Sequence, residues 1–174
     1  MVLLSPFNLF SLVKIKFLIF YRSKRLERFS VSHGKGVFVG GKCIMCGKIY
    51  LGDNCNFNGM QFIGAGTVVV GNNFHSGTEC MIITQNHDYD HGEAIPYGTG
   101  FIYKTVRIGD NVWLGNRVTI IGDVNIGEGV IVAAGSVVVK DIPDYAIVGG
   151  NPARIIKYRD IEHYNKLKCA GSFH

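Results

Sequence analysis

At 174 residues the chain has the length of one domain with a short additional element. It is 47% hydrophobic and 18% charged, enough for a sizeable core, and its 23 glycines beside four prolines indicate many regular turns and exclude a disordered Pro/Gly tract. The net charge of +5 is uneven: residues 1–35 hold seven basic residues against Glu27 alone, the remainder stands at −1, and nucleic-acid binding through the main body is excluded.

Residues 1–33 read as an apolar, then basic, helical segment. From 7 to 21 most positions are large apolars, with Asn8, Ser11 and Lys14 three apart as a thin polar stripe; Arg22, Arg25 and Arg28 then share a helical face. The run is too short and too charged to span a bilayer. Two readings stay open for residues 1–30: an interfacial anchor on an anionic membrane, or a helix packed on a trimer or capping a neighbouring structure. No signal-peptide cleavage pattern follows, and the five cysteines (Cys43, Cys46, Cys55, Cys80, Cys169) are odd in number, so reduced thiols and a cytoplasmic location are expected, peripheral at the inner membrane face if the anchor holds. Cys43 and Cys46 have half of a zinc spacing with no second pair nearby; they read as two small residues of a repeat, and no metal is expected.

Residues 34–151 repeat with period six. An aliphatic recurs at Ile108, Leu114, Ile120, Ile126, Val132 and Val138, and a small or β-branched residue follows four places later at Val112, Val118, Val124, Val130 and Ser136. The same frame runs earlier through Val39, Met45, Leu51, Phe57 and Ile63, with Cys43, Ile49, Cys55, Gln61 and Thr67 as partners, before slipping by one to Val70, Ser76 and Ile82. Period six is neither helical nor that of a hairpin sheet. A short strand plus a two-residue corner explains it: each unit is one flat side of a coil, the aliphatic points inward, and coils stack as parallel strands.

The repeat breaks after Ile82 and resumes near Val106, leaving an excursion at 84–105 that begins TQNHDYDHGEAIPYG. Such surface loops cost little stability and commonly carry function. The frame puts His87 at an outward corner at the loop's root. Imidazole, with an unperturbed pKa of about 6.5, can accept a proton at neutral pH.

The stretch Ile108–Lys157, IGDNVWLGNRVTIIGDVNIGEGVIVAAGSVVVKDIPDYAIVGGNPARIIK, resembles the hexapeptide-repeat acyltransferases, in particular the sugar and xenobiotic O-acetyltransferases that include galactoside and maltose acetyltransferases. The resemblance implies an all-β solenoid, a left-handed parallel β-helix in which three hexapeptides make a coil. The hand comes only from the resemblance, since parallel crossovers are ordinarily right-handed. It also implies acetyl-CoA as cosubstrate, a homotrimer with active sites between subunits, and His87 as the general base for direct transfer without an acyl-enzyme. Coenzyme-binding positions carried over are Trp113, Gly115, Asn116, Ala133, Ala134, Lys140, Arg154 and Lys157. Asn58, in the Gly52–Asn54–Asn58 stretch, matches an acceptor-binding asparagine; an asparagine ladder at the corners is its structural alternative. Asp88 is a candidate for acceptor binding or for orienting the imidazole.

Residues 152–174 read as a C-terminal helix up to about Lys168 and a loose tail. The favoured function is O-acetylation of a sugar or of a lipid-linked surface-glycan precursor, of capsule, exopolysaccharide or O-antigen type. An amino-sugar N-acetyltransferase or an antibiotic acetyltransferase would use the same frame. In a different class stand a zinc hydrase of the γ-carbonic-anhydrase kind, built on His75, His87 and His91, and a non-catalytic scaffold.

Overall fold

The computed structural model describes residues 6–174, with side chains from Phe10 onward; the first five residues of the 1–33 segment lie outside the described residues. Helix α1 (Pro6–Phe29) leads into a parallel β-solenoid with three flat faces. The first face stacks Ser32–His33, Lys48–Leu51, Thr67–Val70, Thr105–Ile108 and Val124–Ile126. The second stacks Phe38–Val39, Asn56–Phe57, His75–Ser76, Trp113–Leu114, Ile131–Val132 and Ala146–Gly150; the third stacks Met60–Ile63, Cys80–Ile83, Thr119–Ile121 and Val137–Val138. Each strand pairs with the one a coil away, as in Trp113 with Ile131 and Leu114 with Val132. The inward residues stack on one another: Val39, Phe57, Ser76, Leu114, Val132 and Val148 form one such column, and all are buried.

From Ile108 to Val138 both periodic positions face inward as expected, Ser136 included. The earlier frame needs a correction. Met60, Phe62, Val68 and Val70 are buried, whereas Gln61, Ile63 and Thr67 are only half-buried and point outward. This coil reaches its third face one residue early and takes two extra residues at the next corner, where Gly64 adopts φ +95°, for a net slip of one. Strand side chains alternate with period two, so a one-residue shift exchanges inside and outside.

At the corner between the first and second faces, Asn54, Asn73 and Asn111 hold φ values of 54°, 53° and 59°. Asparagine tolerates this left-handed backbone. Their amides form a ladder along the solenoid: Asn54 Nδ2 donates to Asn73 Oδ1 (3.1 Å) and Asn73 Nδ2 to Asn111 Oδ1 (2.9 Å). Asn73→Ala removes both bonds and places alanine at positive φ, which together cost about 2–4 kcal/mol. Asn73→Gly keeps the backbone but not the ladder, and should lose about half as much. Urea unfolding of the two variants measures the difference.

The C-terminal segment is not helix and tail alone. Ala153–Tyr158 is a strand, antiparallel to Ala146–Gly150, and it covers the outer edge of the last coil; a β-branched run beside an open edge explains it. Helix α2 (Ile161–Cys169), capped by the Asp160 side chain, folds back over the asparagine ladder. There Tyr164 Oη donates to Glu128 Oε1 (2.9 Å) and accepts from Asn111 Nδ2 (2.7 Å), while Lys168 pairs with Glu128 (2.6 Å). The tail is docked rather than loose, since the His174 carbonyl accepts from Asn54 Nδ2 at 2.9 Å.

The second half of α1 caps the first coil. Leu26 and Ser23 are buried, and the Ser23 hydroxyl accepts the Val39 N–H (3.0 Å). Arg22 donates to the Gly40 carbonyl (2.7 Å) and, with Arg25, lines a cleft against Lys42 and Cys43. Of the three arginines expected to share one helical face, two therefore border the solenoid. Among the described residues, no helix is long and apolar enough to cross a membrane.

Candidate active site

The excursion leaves the corner between the third and first faces. Its root is a strand rather than the expected corner: Gln85–His87 pairs antiparallel with Phe101–Tyr103, His87 opposite Phe101. Paired residues on the same face of such a ladder lie side by side, which brings aromatic rings onto the imidazole. The Tyr97 ring stacks on His87 at 3.9 Å between centroids and 18° between planes, and Phe101 lies at 4.6 Å. The Gln85 side-chain carbonyl accepts the Ala65 N–H (2.9 Å) and fastens the hairpin to the preceding coil.

These residues line an open groove of about 420 Å³ with Ile63, Gly64, Asn86 and Tyr89. His87 Nδ1 is buried and has no hydrogen-bond partner among the described residues, so contact with a ligand in the groove falls to Nε2. A base that accepts through Nε2 carries its proton on Nδ1, the nitrogen screened from water here.

Asp88 does not orient this ring. Its Oδ1 accepts the backbone N–H groups of His91 (2.9 Å) and Asp90 (3.2 Å), with the His91 Nδ1 at 3.4 Å. The bond from the His91 backbone, foremost among these, holds the carboxyl below its ordinary pKa. Asp88 thus closes the loop on itself.

Four of the coenzyme candidates occupy a different edge. Gly115, Asn116, Ala133 and Ala134 lie at the corner between the second and third faces, where the coils approach closely: a Cβ on Gly115 would fall 2.6 Å from Ala134 N. Asn116 Oδ1 accepts the Thr78 N–H (2.9 Å) across neighbouring coils. Asn58 belongs to this edge too, donating to the Ser76 carbonyl (3.0 Å); it is not a rung of the asparagine ladder. Trp113, half-exposed, stands mid-way along the second face in a cavity of about 470 Å³ with His75, Arg159, Tyr164, Phe173 and His174. Lys140 and Arg154 share a cleft of about 260 Å³ on the last coil, and exposed Lys157 lies opposite Ile147. One protomer therefore does not bring His87 to the Gly115–Ala134 corner, from which the whole third face separates it; Lys140 follows the third-face strand Val137–Val138 and lies on the same edge as the excursion, two coils further along.

His75 stands on the second face, away from the excursion that carries His87 and His91, and no cluster of three metal-ligating side chains occurs among the described residues. Cys43 is buried and Cys46 exposed, so the pair does not converge. Burial drives the Cys55 thiol up to about 11, away from nucleophilic use. Sequence reasoning missed Tyr97, Phe101, Gln85 and Asn86. The Phe101-Ile102-Tyr103 run following Gly98 and Gly100 was a strand signal; nothing in the sequence signalled the Tyr97 stack.

Residues 105–140 match the bacterial transferase hexapeptide family model (six repeats). The putative lipopolysaccharide biosynthesis O-acetyl transferase WbbJ of Escherichia coli K12 is 31% identical over 169 residues, which cover 86% of this chain and 85% of that one. The putative acetyltransferase YJL218W of Saccharomyces cerevisiae is 38% identical over 66% of this chain. The chain spans only 58% of that relative's length and 50% of that of a similar Schizosaccharomyces pombe protein. Among solved structures, a galactoside acetyltransferase in complex with coenzyme A superposes with a TM-score of 0.69 at 25% identity, covering 87% of this chain and 82% of that one. Coiled register, inward aliphatic columns and a near full-length relative agree, and the chain belongs to the hexapeptide-repeat transferase family.

Proposed function

We propose that the protein transfers acetyl from acetyl-CoA to a hydroxyl of a sugar or lipid-linked surface-glycan precursor, with His87 as general base, in a homotrimer. The observation that carries this reading is the imidazole in its aromatic-walled groove. His87 Nε2 takes the hydroxyl proton as the oxygen attacks the thioester carbonyl. The C–O bond forms, the tetrahedral adduct collapses with cleavage of C–S, and the proton passes to the departing thiolate. The small residues of the Gly115 and Ala133–Ala134 corner, with Ala134 exposed, would let a pantetheine arm approach the backbone, and Lys140, Arg154 and Lys157 supply positive charge for phosphates.

Assembly is supported by the outside of the third face. Ile44, Ile63, Met81, Ile83, Ile121, Val137 and Val139 point outward there and are at least partly exposed, with Gln61 and Thr119 the polar residues among them, whereas the first face presents Lys48, Thr67, Thr105, Arg107 and Asn125 beside Tyr50 and Val69. A contiguous apolar sheet face marks an interface. Its two edges are the His87 corner and the Gly115–Ala133 corner. Packing third faces around a common axis sets the first edge of one copy against the second edge of the next.

The relatives named for O-acetyl transfer favour oxygen over nitrogen as the acceptor atom. Incubation with acetyl-CoA and paired hydroxyl and amino sugars tests this; transfer to amines alone would reject the O-acetyl reading. Tyr97→Ala should lower kcat about tenfold by freeing the imidazole, with Tyr97→Phe near wild type, because stacking is worth about 0.5–1.5 kcal/mol. Steady-state kinetics with KM little changed would mark Tyr97 as a positioning residue.

A further inference from the structure

Helix α1 divides along its length as well as around its axis. Ser23 and Leu26 anchor one face on the first coil, and Ile19 on that face is half-buried. The opposite stripe, at alternating steps of four and three residues, is Phe10, Lys14, Phe17, Tyr21, Lys24 and Arg28. Phe10 and Phe17 are 77% and 66% exposed, with Val13 and Phe20 beside them at 59% and 62%; Tyr21, 56% exposed, stands at the stripe's margin and also borders the cleft against Lys42 and Cys43. Lys24 is paired with Glu27, which leaves Lys14 and Arg28 as the stripe's charges without an ion pair among the described residues.

We infer that this outward stripe of α1 docks the protein on an anionic lipid surface, with the solenoid standing end-on above it. Large aromatics interleaved with lysine and arginine on the face turned away from the folded body are the chemistry of an interfacial helix lying in the plane of a bilayer. Charge supports lipid over protein as the occupant. Seven of the chain's 18 basic residues fall within residues 1–35 against a single acid, while the remaining chain is at −1, so attraction to anionic headgroups concentrates at this one end. The helix caps the first coil, so its contact plane lies at the end of the solenoid rather than along a face. In the trimer proposed above, three such helices would sit at the same end and bind together; the lipid contact itself does not rest on that assembly.

The test is sedimentation of the full chain with vesicles of phosphatidylcholine containing roughly one third phosphatidylglycerol, against phosphatidylcholine alone. Wild type should bind the anionic vesicles at least about tenfold more tightly, and raising salt from about 0.1 M to about 0.5 M should weaken binding. Phe17→Glu with Phe20→Glu, and separately Lys14→Glu with Arg28→Glu, should each reduce binding about tenfold or more. All four side chains are exposed, so the variants should keep their oligomeric mass by light scattering and their acetyl transfer to a soluble acceptor. Absence of vesicle binding, equal binding to both vesicle types, or binding indifferent to the substitutions would overturn the inference. So would a fall in oligomeric mass in the Phe17/Phe20 variant, which would assign the stripe to a second copy of the chain.

Discussion

His87→Ala should lower kcat for acetyl transfer by about a thousandfold while changing the dissociation constant for coenzyme A by less than about twofold. The split follows from geometry. The imidazole stands in the excursion groove between Tyr97 and Phe101. Gly115, Asn116, Ala133 and Ala134 lie on another edge of the solenoid, and Lys140 and Arg154 form a cleft on the last coil that His87 does not line. Removing the ring takes away the proton acceptor and leaves the coenzyme cradle whole. His87→Asn, which keeps a polar group but is no base, should be as inactive as alanine. Stopped kinetics with acetyl-CoA, together with calorimetric titration of coenzyme A into both variants, separate the effects. Activity retained within about tenfold would remove His87 from the reaction and move the search for a base to another side chain.

The solenoid was legible where one physical demand repeats without interruption. Stacked coils place the same inward position above itself, so Ile108, Leu114, Ile120, Ile126, Val132 and Val138 must all be aliphatic, and period six follows. The signal failed near Ile63 because an early third face and a longer following corner offset one another, leaving only a net slip of one to be read from the residue types. Handedness is not encoded in the spacing at all. The strand Ala153–Tyr158 was hidden because its reason for existing is the bare edge of the last coil, a tertiary feature. Likewise Arg22, Arg25 and Arg28 look alike along the helix, and only the docking of α1 sends the first two toward Gly40, Lys42 and Cys43. For the site, the break in a regular repeat located the excursion, and the resemblance to the hexapeptide-repeat acetyltransferases singled out His87 at its root. Its packing against Tyr97, ten residues on, depends on how the excursion closes through the Asp88 backbone bonds with Gly98 and Gly100.

Mixing two inactive variants should restore about one quarter of wild-type activity. In the first, His87→Ala removes the base; in the second, Ala134→Trp fills the corner beside Gly115, at an exposed position where the larger side chain can be accommodated without disturbing the core. If each active site takes its base from one copy and its coenzyme corner from the next, a site works when the base comes from an Ala134→Trp copy and the corner from a His87→Ala copy. Random assembly of equal amounts into closed rings gives that pairing at about one interface in four. A site contained within one protomer would stay dead in every mixture, so zero recovery after co-expression would reject the intersubunit arrangement. The same interface predicts that Ile83→Glu with Ile121→Glu, on the outer side of the third face, lowers the assembly to monomers by light scattering. Placing carboxylates in a contact that must exclude water is costly, whereas in the free monomer they remain solvated and the fold survives. Monomers of that variant should transfer acetyl at less than about a hundredth of the wild-type rate, since the separation of the His87 edge from the Gly115–Ala134 edge by a whole face can be bridged only by a neighbour.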